Sequence, residues 1–349
     1  MSLVLAAPLL LACTSMEQPR ADTTLPPVLT QSAILAGDGY RLPLQRWGPE
    51  EPEAVVLALH GFTEHSGVFA PLAEGLAPRG IAVYAYDQRG FGDTDYRGIW
   101  PGREPLLSDA ATALALIQAH YPDAPVHLLG ESMGGAIALL ALTDEAHPIA
   151  TPPASLILSA PAIWAREVMP WYQRSALWLG ELVVPGLSFS PTLARRIADI
   201  QPTNDPEVVA EMQQDERMLR DVRTDMLVGV TDLMDEALPA LDHLPQPTLI
   251  LYGLQDEIIP PEAACSMFRR IAEGPASAPS IALYPDGYHL LTRDQRAFQT
   301  IGDIGFWIEQ PRREPASGQG VSVAEAQARV CELKPARSTG LAPGPTTAP

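Results

Sequence analysis

Lysine is almost missing from this chain. Lys334 is the only one in 349 residues, and arginine supplies the rest of the 23 basic side chains against 42 acidic ones. A formal charge of −19 leaves no basic face for a phosphate backbone, so nucleic acid is not an expected partner. The same charge disfavours electrostatic docking on anionic lipid. No apolar run reaches the roughly 18 residues needed to span a bilayer. No H-x-x-x-H, C-x-x-C or acidic cluster suggests a metal. No phosphate-cradling G-x-G-x-x-G follows a strand, and Gly90-Phe91-Gly92 is too short a match. No cofactor is expected. The scarcity of lysine and the 36 prolines suit a GC-rich bacterial genome.

What is present reads as one large α/β unit with appendages. Leu3 to Ala12 has the length of a signal-peptide h-region and ends in Leu10-Leu11-Ala12-Cys13, which resembles a bacterial lipobox. Met1-Ser2 carries no basic residue, unlike a usual n-region. Cys13 is therefore a lipidation candidate, which implies membrane association through an N-terminal anchor and a place in the cell envelope, periplasmic or outer-membrane; the alternative is a cytoplasmic protein. Residues 1–30 read as signal, lipobox and a proline-rich tether. The main domain is expected over 31–310, opening with a hairpin, Gln31 to Ala36 and Arg41 to Trp47, around Gly37-Asp38-Gly39. Six further strand candidates start at Val55, Ile81, Val126, Leu156, Thr248 and Ile281, with helical stretches between most of them. The alternation implies an eight-stranded, mostly parallel sheet with helices on both faces. Residues 161–246 contain no clear strand and are rich in Trp164, Met169, Trp171, Trp178 and Leu182, so they read as a helical lid over the C-terminal edge of the strands. Most of its aromatics are expected to bind lid to body, and a minority to line a pocket. From 311 to 349 the composition suggests a mostly disordered tail, with one possible helix from Val321 to Lys334.

The chain is organised around Gly130-Glu131-Ser132-Met133-Gly134-Gly135, placed between a strand and an alanine-rich helix. In that setting G-x-S-x-G is a nucleophile elbow, which lifts the serine hydroxyl above the sheet. Serine is a weak nucleophile and needs a base held by a carboxylate. Asp256 follows the Thr248 strand and His289 follows the Ile281 strand, giving the order Ser, Asp, His along one sheet edge.

With these residues in view the sequence resembles the α/β-hydrolase fold group of monoglyceride lipases and lysophospholipases, the serine aminopeptidase S33-type hydrolases. The motifs are H-G-F-T-E-H-S-G at 60–67, D-Q-R-G-F-G-D-T at 87–94, G-E-S-M-G-G at 130–135, G-L-Q-D at 253–256 and G-Y-H at 287–289. The resemblance implies Ser132 as nucleophile, His289 as base then acid, and Asp256 as the orienting carboxylate. It implies an oxyanion hole from the backbone N–H groups of Phe62 and Met133, with His60 and Gly61 shaping that loop. The expected substrate is a small ester with an apolar acyl chain, monoacylglycerol- or lysophospholipid-like, cleaved through an acyl-serine. An aminopeptidase or thioesterase of the same fold is the alternative; the former would use lid acids such as Glu167, Glu181, Asp199 or Asp205 to hold an amine. A non-catalytic binding lipoprotein is the remaining reading. Two departures stand out: the group usually reads G-H-S-M-G-G where this chain has Glu131, and D-H-x-G-H-G where it has D-Q-R-G-F-G. If Cys13 is lipidated and exported, Cys265 and Cys331 are left as a candidate disulfide.

Overall fold

The computed structural model describes residues 15, 16, 18, 19, 24–190, 200–274 and 277–333. The lipobox, Cys13 and Asp199 lie outside the described residues. Strands β1 (Val28–Leu29), β2 (Ala33–Leu35) and β3 (Arg41–Trp47) form the antiparallel opening. Then come β4 (Ala54–Leu59), β5 (Ile81–Tyr86), β6 (Val126–Glu131) and β7 (Leu156–Ser159), in which every side chain is buried. Continuous apolar runs of this kind belong to strands covered on both faces. A two-residue ribbon in the lid, β8 (Ser188–Phe189) against β9 (Val222–Arg223), precedes β10 (Thr248–Gly253), β11 (Ser280–Tyr284) and β12 (Gly320–Val321).

The main sheet runs β1-β2-β3-β5-β4-β6-β7-β10-β11-β12, so it has ten strands where the sequence suggested eight. All eight are there. The two additions are two-residue edge strands, too short for periodicity to reveal. The six strands from β5 to β11 run parallel. Side chains alternate between two cores as the pleat requires: Val55, Leu57 and Leu59 of β4 face one way, and Ala54, Val56 and Ala58 the other. The second core is closed by helices α1 (Ala70–Leu76) and, late in the chain, Ala297–Glu309. The first is closed by α2 (Arg103–His120), α3 (Met133–Thr143) and further helices from the second half of the chain.

The segment over 161–246 that the sequence suggested as a lid holds α4 (Trp171–Val183), α5 (Pro206–Gln214) and α6 (Thr224–Ala240). Only α6 contributes substantially to the core. Helix α4 has no buried residue, and Trp171, Trp178 and Leu182 are 72%, 64% and 66% exposed. Trp171 and Trp178 therefore do not bind this segment to the body, contrary to the sequence expectation for most of its aromatics, whereas Trp164 does pack inward. Composition cannot tell an apolar helix face that packs from one that is presented outward.

Past β10 lie α7 (Pro261–Glu273), α8 (Ala297–Glu309) and α9 (Val323–Cys331). The helix expected between Val321 and Lys334 is there as α9, packed on α7 and burying Ala326 and Val330, and the segment before it, expected to be disordered, adds β12 to the sheet edge. A disulfide joins Cys265 of α7 to Cys331, with their Cα atoms 4.8 Å apart. Among the described residues no helix is long and apolar enough to cross a membrane.

Candidate active site

The loops that follow β4, β6, β10 and β11 leave the same C-terminal edge of the parallel strands. The strand-to-helix turn gives Ser132 φ 54° and ψ −119°, a conformation that non-glycine residues avoid. Glycine makes the turn possible through close packing. A Cβ on Gly130 would lie 2.3 Å from the Gly134 carbonyl oxygen, and one on Gly134 would lie 2.0 Å from that of Leu59. The strain is held by hydrogen bonds, since the Ser132 amide donates to Ser159 O at 3.0 Å and the Ala162 amide to Ser132 O at 2.9 Å.

Asp256 and His289 come together as the sequence order implied. His289 Nδ1–H donates to Asp256 Oδ2 at 2.8 Å, and both side chains are nearly inaccessible. The other carboxylate oxygen, Oδ1, accepts the amides of Ile258 and Ile259 at 2.8 and 3.0 Å, so Asp256 cannot rotate away. Burial alone would lower the His289 pKa. The Asp256 carboxylate, with smaller contributions from Glu131 and Glu64, outweighs it and raises the value above the ordinary 6.5. Among the described residues Ser132 Oγ makes no hydrogen bond to His289 Nε2, a contact that often tightens only with substrate bound. The amides of Phe62 and Met133 find no acceptor among the described residues, which leaves both free to serve an oxyanion.

The loop carrying Phe62 is braced from below. His60 Nδ1–H donates to Gly61 O at 2.8 Å while its Nε2 accepts the Gln88 amide at 3.0 Å, and burial keeps the ring neutral. Gln88 Nε2 donates back to His60 O at 2.7 Å. Arg89 pairs with buried Asp109 and with Asp38 over the ring of Tyr40, pinning the opening hairpin. These contacts account for D-Q-R-G-F-G: Gln88 and Arg89 are framework residues.

The segment expected as a lid is tied to the loops that follow β4 and β11. His65 Nδ1 accepts the Gly67 amide, so Nε2 carries the proton and donates to Asp215 Oδ2 at 3.0 Å. The Leu219 amide donates to Thr63 O at 2.8 Å. On the histidine side the Leu290 amide donates to Pro202 O, and Thr203 Oγ1 to Arg293 O, both at 3.0 Å. Asp205 caps α5 by accepting the Glu207 and Val208 amides, while Glu167 and Glu181 face solvent. None of these three is presented at Ser132 by a described contact. An apolar group of Ala162, Met169, Met234, Ile259 and Ala263, with Trp164 and Leu177 against it, joins lid and body beside the Asp256 loop.

The sequence offered no sign of Arg293. Buried four residues beyond His289, it pairs with Glu64 at 2.8 Å and with Glu131, and neither partner was assigned a role beforehand. Among the described residues the one cluster of metal-ligating groups, Glu104, Asp144 and His147, is largely exposed, with Asp144 at the C-terminal end of α3, the far end from Ser132.

The profile of the serine aminopeptidase, S33 family matches residues 50–296. The chain is 27% identical over 279 residues to a monoacylglycerol lipase of Mycolicibacterium smegmatis, covering 77% of this chain and 93% of that protein. It is 26% identical over 286 residues to the monoglyceride lipase of Homo sapiens, covering 79% and 89%. Among solved structures, a soluble variant of Saccharomyces cerevisiae monoglyceride lipase, in complex with a substrate analogue, superposes with a TM-score of 0.65 at 19% identity, covering 84% of this chain and 99% of that one. The Paleococcus ferrophilus monoacylglycerol lipase superposes with a TM-score of 0.59 at 23% identity, covering 76% and 98%. At such identities the superpositions establish the fold.

Proposed function

This chain belongs to the serine aminopeptidase S33 family of α/β-hydrolases and is an ester-cleaving serine hydrolase, and we propose that it acts on monoacyl lipid esters at the cell envelope, through Ser132, His289 and Asp256. The observation that carries the triad is the His289–Asp256 hydrogen bond of 2.8 Å, on loops adjoining a strained Ser132. His289 Nε2 takes the Ser132 proton as Oγ attacks the ester carbonyl. The Phe62 and Met133 amides receive the oxyanion, donors of a kind whose individual loss costs about 10²–10³ in rate. His289 then protonates the leaving alcohol, and water, activated by the same ring, releases the acid from acyl-Ser132.

The apolar group between lid and body supports an acyl site. Relatives named for monoacylglycerol suggest glycerol as the alcohol. The outward apolar face of α4 supports work at a lipid surface. The Met16 amide, three positions after Cys13 in the chain, donates to Asp225 Oδ2 at 3.4 Å, at the start of α6 and so on the lid. Fluorophosphonate labelling with peptide mapping tests the nucleophile, and an adduct anywhere but Ser132 refutes it. Monoacylglycerols beside aminoacyl-arylamides test the substrate class, and faster arylamide cleavage moves the assignment to a peptidase.

A further inference from the structure

Three acidic or basic side chains buried next to the triad have no part in the steps above. Arg293, Glu64 and Glu131 are 4%, 5% and 1% exposed. Arg293 Nη1 donates to Glu64 Oε1 at 2.8 Å, and Nη2 donates to Glu131 Oε1. Glu64 uses its other oxygen to accept the Gly61 amide at 3.2 Å, and Thr292 Oγ1 donates to Glu131 Oε2 at 3.4 Å. Removing three ionisable groups from water is costly unless each finds its partners. An apolar filling of the same space would be cheaper, so stability alone is a poor reason for the cluster.

Its value lies in what it connects. Gly61 precedes Phe62, an oxyanion donor; Glu131 precedes Ser132; Arg293 sits four residues after His289. One guanidinium therefore spans the oxyanion loop, the nucleophile elbow and the histidine loop, which arrive from β4, β6 and β11. We propose that Arg293, with Glu64 and Glu131, is a positioning unit that holds the oxyanion donor, the nucleophile and the base in register, and that Glu131 is carried in this chain because Arg293 is there to receive it. A planar fork with two separated donor arms suits this role, whereas a lysine ammonium is a single point charge.

The cluster also sets the field at the base. The charged groups acting on His289 are Asp256 from the β10 loop, Glu131 from β6 and Glu64 from the oxyanion loop, with Arg293 on its own loop; His60, packed near Glu64, is neutral. Both glutamates favour the imidazolium that forms during attack. Arg293 holds Glu64 down to about 2 against the burial that would raise it. For Glu131, burial and the neighbouring Glu64 charge prevail over Arg293, and its pKa is raised.

The inference rests on the triad assignment, and the test separates the two. Full-length protein and the variants Glu131→Gln, Arg293→Lys and Arg293→Met are assayed on a p-nitrophenyl ester across pH, with near-UV circular dichroism to establish folding. Glu131→Gln keeps shape and removes a carboxylate. It should lower kcat by about 10–100-fold, the scale of a small misplacement of reacting groups, with KM unchanged. The acid limb of kcat/KM should move to lower pH, because a charge favouring imidazolium is gone. Arg293→Lys should retain more kcat than Arg293→Met but less than the native chain. A folded Glu131→Gln protein with native kcat, or with a reduced kcat and an unmoved acid limb, overturns the proposal. Fluorophosphonate mapping of the native protein is run in parallel. If Ser132 is not labelled, the triad reading fails; if it is labelled while Glu131→Gln behaves as native, only the positioning unit fails.

Discussion

Replacing both Cys265 and Cys331 by alanine should loosen the C-terminal strap and leave the chemistry intact. The bridge spans 66 residues, and closing a loop of that length restricts the unfolded chain by about 4 kcal/mol in the chain-entropy treatment. That figure is an upper bound for this protein, because the strap can leave the body without global unfolding. Its own anchorage is thin. Two residue pairs join β12 to β11, and α9 buries only Ala326 and Val330, worth about 2–4 kcal/mol by apolar area. Ordering a segment of this length costs about 1–2 kcal/mol for each residue, so without the bridge β12 and α9 should open locally. The expected loss is about 2–4 kcal/mol in urea unfolding, with faster amide exchange confined to residues 318–333 and the part of α7 beneath them. Turnover should stay within about two-fold of native, since Asp256 is held by the Ile258 and Ile259 amides, independently of the strap. Coincident urea curves with unchanged exchange would refute this reasoning, and so would a variant that loses catalysis while still folded.

Three further outcomes are expected. Asp256→Asn should lower kcat by about 10⁴ through the wrong imidazole tautomer without unfolding the protein, and a loss below ten-fold would point to a different acid. With p-nitrophenyl esters kcat/KM should rise about four-fold for each added CH₂, from about 0.8 kcal/mol each, until the apolar site is full; a flat series or a preference for acetyl would refute an acyl site at Met169, Met234 and Ile259. His289 must be neutral to accept the Ser132 proton and its pKa is raised, so the acid limb of kcat/KM should lie above pH 6.5, and a limb at or below that value contradicts the field assigned to Asp256, Glu131 and Glu64.

The sequence by itself determined the sheet and the order of the catalytic loops. Long apolar runs such as Val55 to Leu59 leave little choice but a strand covered on both faces, and parallel strands of an α/β sheet deliver their following loops to one edge. That is why Ser132, Asp256 and His289 could be proposed as a triad from motif and order alone, with Phe62 and Met133 proposed as oxyanion donors from their neighbours. Tertiary structure decided whatever depends on which distant surfaces meet. Whether Trp171 and Trp178 pack or face outward turns on the docking angle of α4, which helical periodicity does not encode. The helix at Val323–Cys331 and the Cys265–Cys331 pair were open to the sequence as candidates, but β12 became visible only with β11 present to receive it, because a two-residue strand does not persist alone. Glu64, Glu131 and Arg293 are separated by up to 229 residues, and a buried charge is recognisable as part of a device only when its counter-charges stand beside it.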